Sequence, residues 1–439
     1  MFFLYSFLYT LAFIVLSPRF LYDVVVGGKY AAGFKQRLGF LPAFETDERA
    51  VVWIHCVSVG EANAARPLVD AIRKEFPYHR LIVSTITRTG QKHVKEIFRD
   101  SAEAFFYFPF DWKFSVRKAI RHFEPKAVIL LETEIWPNFI REASHAKARL
   151  CLTNGRLSER SFKRYGYFKK SMKRILGYFD LAAMQSNADA TRIMALGMRA
   201  SKVKVSGNLK FDHDVDAAEN VLTEQFRARF GITSEAPLIV AASTHDKEEA
   251  WILDAFKTIW KSGGHRLPRL MIVPRHPERF GAVTELLRKT GFDWVRRSES
   301  ESSRDKTAEV ILLDSIGELR AAYPLAEIVF VGGSLIPHGG QSIFEPAASG
   351  KAILTGPNTA NFRDAIAEFL DKKALVQMPP FKESELVANL TNELHKLLKD
   401  EGKRRILGAN ALAVMTANRG ATARTLEYLV PYLGKAHLR

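Results

Sequence analysis

Residues 51–61 read VVWIHCVSVGE: an apolar, β-branched-rich run, a short polar turn with glycine at 60, and Glu61 opening a segment with helical spacing over 61–75. A strand covered on both faces reads as a continuous apolar run, and strand–turn–helix is the first step of a βαβ unit. The same pattern recurs outward from it. Short runs appear at 80–86 (RLIVSTI), 126–131 (KAVILL), 149–153 (RLCLT) and 181–185 (LAAMQ). The rhythm restarts after residue 235, at 238–243 (LIVAAS), 270–274 (LMIVP), 309–314 (EVILLD), 327–333 (EIVFVGG) and 351–356 (KAILTG). This alternation predicts an α/β protein of two doubly wound, Rossmann-like domains facing a cleft, with ligands beyond the carboxyl ends of the strands. Residues 208–224 are polar and acidic without a strand pattern. The expected organisation is a membrane anchor over 1–22, a first domain over 23–210, a linker over 211–224, a second domain over 225–420, and a terminal helix over 421–439 that packs back on the first domain.

Composition narrows the function classes. Across 439 residues, 47% are hydrophobic and 26% charged, which excludes wholesale disorder. Cys56 and Cys151 are the two cysteines, too few for a disulfide framework, and both are expected to pack as small apolar groups in a reducing compartment. The net charge of +16 is uneven: residues 1–210 hold 34 Lys+Arg against 18 Asp+Glu, and the remainder holds 30 of each. A chain with one basic half binds something acidic there, whether nucleic acid, an anionic membrane surface or a phosphorylated substrate.

The amino terminus favours a membrane. Residues 1–18 (MFFLYSFLYTLAFIVLSP) carry no charged side chain and are followed by Arg19, Lys29, Lys35 and Arg37. Positive charge before the run and a small-residue cleavage site, the marks of a secretory signal, are missing. The run is short for a bilayer span but rich in interfacial aromatics, so attachment is expected, whether by spanning or by lying flat, with the remainder of the chain on the cytoplasmic side.

Chemistry is expected where strands end. Glu61 is either a helix-dipole partner, the simpler local reading, or a general base aimed into the cleft. Glu132 and Glu134 follow strand 126–131, where two carboxylates are costly unless paired or functional. Arg156, Arg160, Lys163, Arg164, Lys169, Lys170, Lys173 and Arg174, interleaved with apolar residues and one acid, Glu159, predict an amphipathic helix with a cationic face for anionic lipid or phosphate. No nucleic-acid module pattern accompanies it, so nucleic acid is not an expected partner. In the second half, Pro274-Arg275-His276-Pro277-Glu278-Arg279 offers a cationic grip. Asp314 to Leu319 ends another strand, and Gly332-Gly333 with Gly339-Gly340 precede Gln341-Ser342-Ile343-Phe344-Glu345. A Gly-rich turn entering a helix suits a nucleotide phosphate, although neither a Walker loop nor the dinucleotide glycine spacing is present. Asp212-His213-Asp214 superficially resembles an acidic metal motif without supporting ligands, and neither a metal nor a cofactor is expected.

Eight blocks occur in order: HCVSVGE (55–61), ETEIWPN (132–138), NGRLSERS (154–161), GNLKFD (207–212), PRHPERF (274–280), GEL (317–319), VGGS (331–334) and FEPAASGKAILTGPNTANF (344–362). In these the chain resembles, essentially end to end, the 3-deoxy-D-manno-octulosonic acid (Kdo) transferases of lipopolysaccharide assembly. The resemblance implies a glycosyltransferase B fold, CMP-Kdo as donor, a lipid A precursor as acceptor, no metal, and a place at the cytoplasmic face of the inner membrane among its anionic lipids. It also implies residue roles: Glu61 as general base, Glu132 and Lys210 in transition-state support, and Pro274, Arg275, Ile316, Gly317, Glu318, Ser342, Ile343, Phe344 and Glu345 in CMP binding. Where that family usually has Gly-Gly-His-Asn, this chain has Gly339-Gly340-Gln341-Ser342, which still donates hydrogen bonds but alters the donor contacts. Two other readings stand beside this one: a membrane-attached glycosyltransferase of the same fold using another nucleotide sugar or acceptor, and a non-catalytic membrane-bound nucleotide-binding module.

Overall fold

The computed structural model describes residues 1–27, 33–45, 47–212, 217–263 and 267–434. The chain divides into two compact units, Met1–Asp212 with Asn418–Arg439, and His213–Ala417. In the first, strands β1 (Val51–His55), β2 (Arg80–Thr85), β3 (Ala104–Tyr107), β4 (Ala127–Leu131), β5 (Arg149–Gly155), β6 (Leu181–Met184) and β7 (Val203–Val205) form a sheet in the order β3-β2-β1-β4-β5-β6-β7. The second unit holds β8 (Leu238–Thr244), β9 (Arg269–Pro274), β10 (Trp294–Arg296), β11 (Val310–Leu312), β12 (Ile328–Val331), β13 (Ala352–Thr355) and β14 (Val376–Gln377), ordered β10-β11-β9-β8-β12-β13-β14. Every strand pairing is parallel.

Each of the ten apolar runs contains a strand. The four strands that the runs do not announce, β3, β7, β10 and β14, are the four sheet edges. Edge strands are kept short, here two to four residues, which is too brief for a long apolar run.

The sheet of the first unit is buried on both faces, as parallel strands require. On one face Trp53 meets Phe106, Phe123 and Phe139 with ring centroids 5.0–5.9 Å apart, and its indole N–H donates to Ser84 Oγ at 2.7 Å. On the other, Val52 and Ile54 share a cluster with Leu68, Val69, Leu209, Leu429 and Leu433, so the last helix, Ala421–Leu433, completes this unit's core. Burial of one such large apolar side chain contributes about 1.5–3 kcal/mol. Asp212 accepts from the backbone N–H groups of Gly420 and Thr422 and so caps that helix; His213 and Asp214, the rest of the superficial metal motif, lie outside the described residues. Both cysteines are free and fully buried.

Three segments differ from expectation. The basic stretch is two short helices, Glu159–Gly166 and Lys169–Leu176, rather than one, because Gly166 and the irregular backbone at Phe168 interrupt it. The polar 208–224 segment holds a 3-10 turn, Leu209–Phe211, and the first part of helix Ala217–Phe230. The amino-terminal helix runs Phe2–Gly27, longer than the uncharged stretch, yet among the described residues no helix is long and apolar enough to cross a membrane.

Candidate active site

In both sheets the strand order reverses beside the first strand of the unit, between β1 and β4 and between β8 and β12. At such a switch point the neighbouring connections leave toward opposite faces and open a crevice at the carboxyl ends. Glu61 and Glu132 lie just past β1 and β4 at the first, and the segment Ser342–Glu345 lies beyond β12 at the second, while Arg275 and Ile316–Glu318 follow the neighbouring strands β9 and β11.

In the first unit, β1 runs into the turn that starts helix Val59–Glu75. Glu61 folds back: Val57 N donates to Oε2 at 2.8 Å and Ser58 Oγ to Oε1 at 3.3 Å, so the carboxylate closes the start of its own helix. The geometry shows the helix-start reading of Glu61, and the same carboxyl group is electrostatically perturbed. Burial, followed by the negative charge of Glu132, pushes its pKa up to about 8, with Val57 N–H and Lys210 pulling the other way. A carboxyl group that titrates close to neutrality is suited to proton transfer.

Glu132 sits directly after β4 in a left-handed conformation, φ 51°, its N–H bonded to Thr153 O at 3.0 Å. Asn154 at the end of β5 is also left-handed, φ 52°, and its side-chain oxygen accepts from Leu209 N at 3.0 Å. That bond ties the Leu209–Phe211 turn to the sheet and delivers Lys210 Nζ to Glu132 Oε1 at 2.8 Å. Left-handed non-glycine residues cost about 1–3 kcal/mol each and concentrate at functional sites. Glu134 is held by Trp136 Nε1 at 2.9 Å.

The second unit presents Arg275, solvent-exposed, just past Pro274 at the end of β9. Beyond β11, Gly317 turns at φ 85°, Ile316 is 79% exposed, and Glu318 is gripped by Arg297 through two bonds of 3.1 Å. Ser342 Oγ donates to Glu345. The side chains of Ile343 and Phe344 are buried. The charges of Glu345 and Arg275 both act on the buried Tyr323 phenol, so these separate segments converge.

Two residues that the sequence did not single out organise this end. Glu248, fully buried, accepts from Gly333 N (2.7 Å), Leu335 N (2.9 Å), Ser334 N (3.0 Å) and His245 N (3.0 Å), fixing the Gly-rich loop after β12. Gly332 in that loop is obligatory, since a Cβ there would lie 2.5 Å from Ser243 O. His245 faces His338 and His276 and bonds Gln341 Nε2 at 3.0 Å; burial and these positive or protonatable neighbours push its pKa down to about 4. Among the described residues no group of three or more His, Cys, Asp or Glu is arranged to hold a metal ion.

The eight basic residues expected to meet an anionic acceptor or membrane lie in or before the two short helices. Arg156 is partly buried; Arg160, Lys163, Arg164, Lys169, Lys170, Lys173 and Arg174 are exposed.

The chain is 33% identical over 434 residues to the 3-deoxy-D-manno-octulosonic acid transferase of Haemophilus influenzae, spanning 98% of this chain and 99% of that one. It belongs to the Kdo transferase family. A sequence model described as 3-deoxy-D-manno-octulosonic-acid transferase (kdotransferase) matches residues 32–213. The transferase of the same name from Chlamydia trachomatis is 30% identical over 371 residues, 84% of each chain. A solved glycosyltransferase from Rickettsia africae covers 89% of this chain and is itself covered in full, with a TM-score of 0.55 at 14% identity, which supports the glycosyltransferase B type of fold. The chain is thus a glycosyltransferase by family.

Proposed function

We propose that the protein is an inverting glycosyltransferase that moves Kdo from CMP-Kdo to a phosphorylated lipid A precursor and releases CMP. The observation that carries this reading is Glu61, a carboxyl group tuned to about 8 at the switch point of the first sheet, beside the Lys210–Glu132 pair. As carboxylate it takes the proton of the acceptor hydroxyl while that oxygen bonds to the anomeric carbon of Kdo and the bond from that carbon to the CMP phosphate oxygen breaks. Lys210 and, on the donor side, Arg275 oppose the charge that develops, and the backbone N–H groups of the Gly-rich turn offer further donors. Donor binding falls to the segments at Pro274–Arg275, Ile316–Glu318 and Ser342–Glu345.

The acceptor is a lipid, and the amino-terminal helix fits work at a membrane surface. Phe3, Leu4, Phe7, Leu8, Leu11, Ile14, Val15 and Leu16 are all exposed on it, an apolar stripe that water does not favour. In this reading the enzyme sits at the cytoplasmic face of the inner membrane, held by that helix lying in the interface and by the exposed basic residues of 156–174.

The test is incubation of the full chain with CMP-Kdo and a tetra-acylated lipid A precursor, followed by mass analysis. A gain of one or more Kdo masses, absent with Glu61→Ala, supports the assignment. Retained transfer by Glu61→Ala rejects Glu61 as the base, and no gain with the unaltered protein rejects the substrate pair.

A further inference from the structure

An open cleft of about 680 Å³ lies at the root of the amino-terminal helix, away from Glu61 in sequence and built by three helices. Phe2, Phe3 and Ser6 form one wall, helix Lys113–Phe123 the second, and Arg141 of helix Pro137–His145 the third. Lys113, Arg117 and Arg121 recur every four residues, with Lys118 beside them, so one helix face aims four cations at the opening.

The charge there is largely uncompensated. Arg117 and Arg141 share a single carboxylate, Glu142, at 2.5 and 2.7 Å. Lys113, Lys118 and Arg121 form no ion pair with an acid among the described residues. Arg141 also stacks over Phe2 at 4.3 Å and Lys118 over Phe40 at 4.6 Å, contacts that hold cations without neutralising them.

The wall on the helix side is fixed rather than tethered. Asn138 Nδ2 donates to Ser6 Oγ at 2.9 Å and Trp112 Nε1 to Thr10 Oγ1 at 2.9 Å, while Phe13 packs edge-on against Phe110 and Trp112. The face turned outward is the exposed apolar stripe that contains Phe3 and Phe7, and Phe114 at the rim is 53% exposed.

Cations at the root of an uncovered apolar helix match one kind of ligand: a phosphate carried on acyl chains. A soluble anion has no use for the stripe, and a neutral lipid has none for the cations. We propose that this cleft binds the headgroup of an anionic membrane phospholipid, its phosphate among Lys113, Arg117, Lys118 and Arg121 and its chains along the outer side of the amino-terminal helix. The inference rests on the membrane-surface reading above and adds to it a discrete, saturable site. One bound lipid fixes the roll of the helix and so the presentation of the first unit to the membrane.

The experiment titrates the full-length protein with short-chain phosphatidylglycerol below its micelle concentration, by calorimetry, and in parallel with inorganic phosphate. Lys113→Gln/Arg121→Gln and, as a second variant, Arg121→Glu are compared with Lys92→Gln/Lys95→Gln, which removes equal charge from an exposed helix elsewhere in the unit. Unchanged unfolding temperatures establish that each variant is folded. The expected result is one saturable site for the lipid that the cleft variants weaken roughly 10–30-fold, in line with a factor of about five or less per lost cation at a membrane surface, and that the control keeps. Equal binding by all variants overturns the proposal. So does inorganic phosphate binding as tightly as the lipid, which makes the cleft a free-phosphate site. A raised KM for the detergent-dispersed acceptor with phosphatidylglycerol binding intact assigns the cleft to the acceptor's phosphates and also overturns it. The titration uses no sugar nucleotide, so its outcome is independent of whether Kdo is transferred.

Discussion

Lys210 Nζ lies 2.8 Å from Glu132 Oε1, an ion pair formed across 78 residues of sequence between the turn after β7 and the left-handed residue after β4. The pair governs Glu61 through space. Glu132 raises the Glu61 pKa and Lys210 lowers it. Removing either partner therefore moves the proton affinity of Glu61 in opposite directions, a signature that mere loss of packing does not produce.

Lys210→Ala is expected to lower kcat about 10²–10³-fold, the cost of removing one fixed donor from a charged transition state. Its acidic limb, set by deprotonation of Glu61, shifts to higher pH because Glu61 loses the cation that favours its carboxylate. Glu132→Gln shifts the same limb to lower pH. The measurement is the pH dependence of kcat/KM for both variants; parallel shifts would contradict the coupling.

Glu61→Gln separates chemistry from stability. Transfer falls about 10²–10⁴-fold, with donor binding retained. The folded pKa of about 8 lies above the ordinary 4.5, so the stability Glu61 contributes is fully present below pH 4.5 and is lost as pH rises through 8. Gln titrates nowhere in that window and its amide oxygen still accepts from Val57 N. The variant should therefore gain in melting temperature relative to the parent as pH rises from 4.5 to 8, by about 2–4 °C for each kcal/mol recovered. Thermal unfolding across that range checks it, and a constant difference refutes the raised pKa.

Asp111→Ala should loosen the amino-terminal helix. Asp111 is fully buried and accepts from Asn138 N at 3.1 Å and Phe139 N at 2.7 Å, and its own backbone meets Tyr9 Oη at 3.4 Å and Asn138 Nδ2 at 2.6 Å. Burial holds its pKa up near 7. Without the carboxylate, two buried N–H groups lose their partner, a cost on the order of 2–4 kcal/mol. Hydrogen exchange over residues 2–13 should quicken more than over β1, and uniform exchange across the unit would count against a local clasp.

The ten inner strands were legible because strands paired on both edges and covered on both faces must be apolar throughout. The four edge strands were not, because each is only two to four residues long; β3 is largely buried, while β7, β10 and β14 are mostly half-buried. Glu61 and Glu132 were legible as acids at strand ends, and the parallel alternation already implied crevices there. Glu248 and Asp111 were invisible for a common reason. Each is a buried acceptor whose donors lie far along the chain, Gly333 to Leu335 for one and Asn138 and Phe139 for the other, and no local spacing marks such a partnership. The break at Gly166 was missed because charge and apolar spacing continue unchanged across it, while the backbone does not.

Glu248→Gln tests whether the Gly-rich loop of the second unit depends on that hidden acceptor. The carboxylate meets four backbone N–H groups, three of them from Gly333 to Leu335. An amide has one oxygen with two lone pairs, and its NH2 would point at N–H donors that it cannot satisfy. The loop therefore either rearranges or leaves buried donors unpaired, and the cost is on the order of 3–5 kcal/mol, as for breaking a buried charged pair. Because Gln341 and Ser342 follow this loop, CMP binding should weaken about tenfold or more, while Lys210 and Glu61 in the other unit are untouched. Calorimetric titration with CMP beside thermal unfolding reads both effects. A destabilised protein that binds CMP as tightly as the parent would show that Glu248 supports the unit without shaping the nucleotide site.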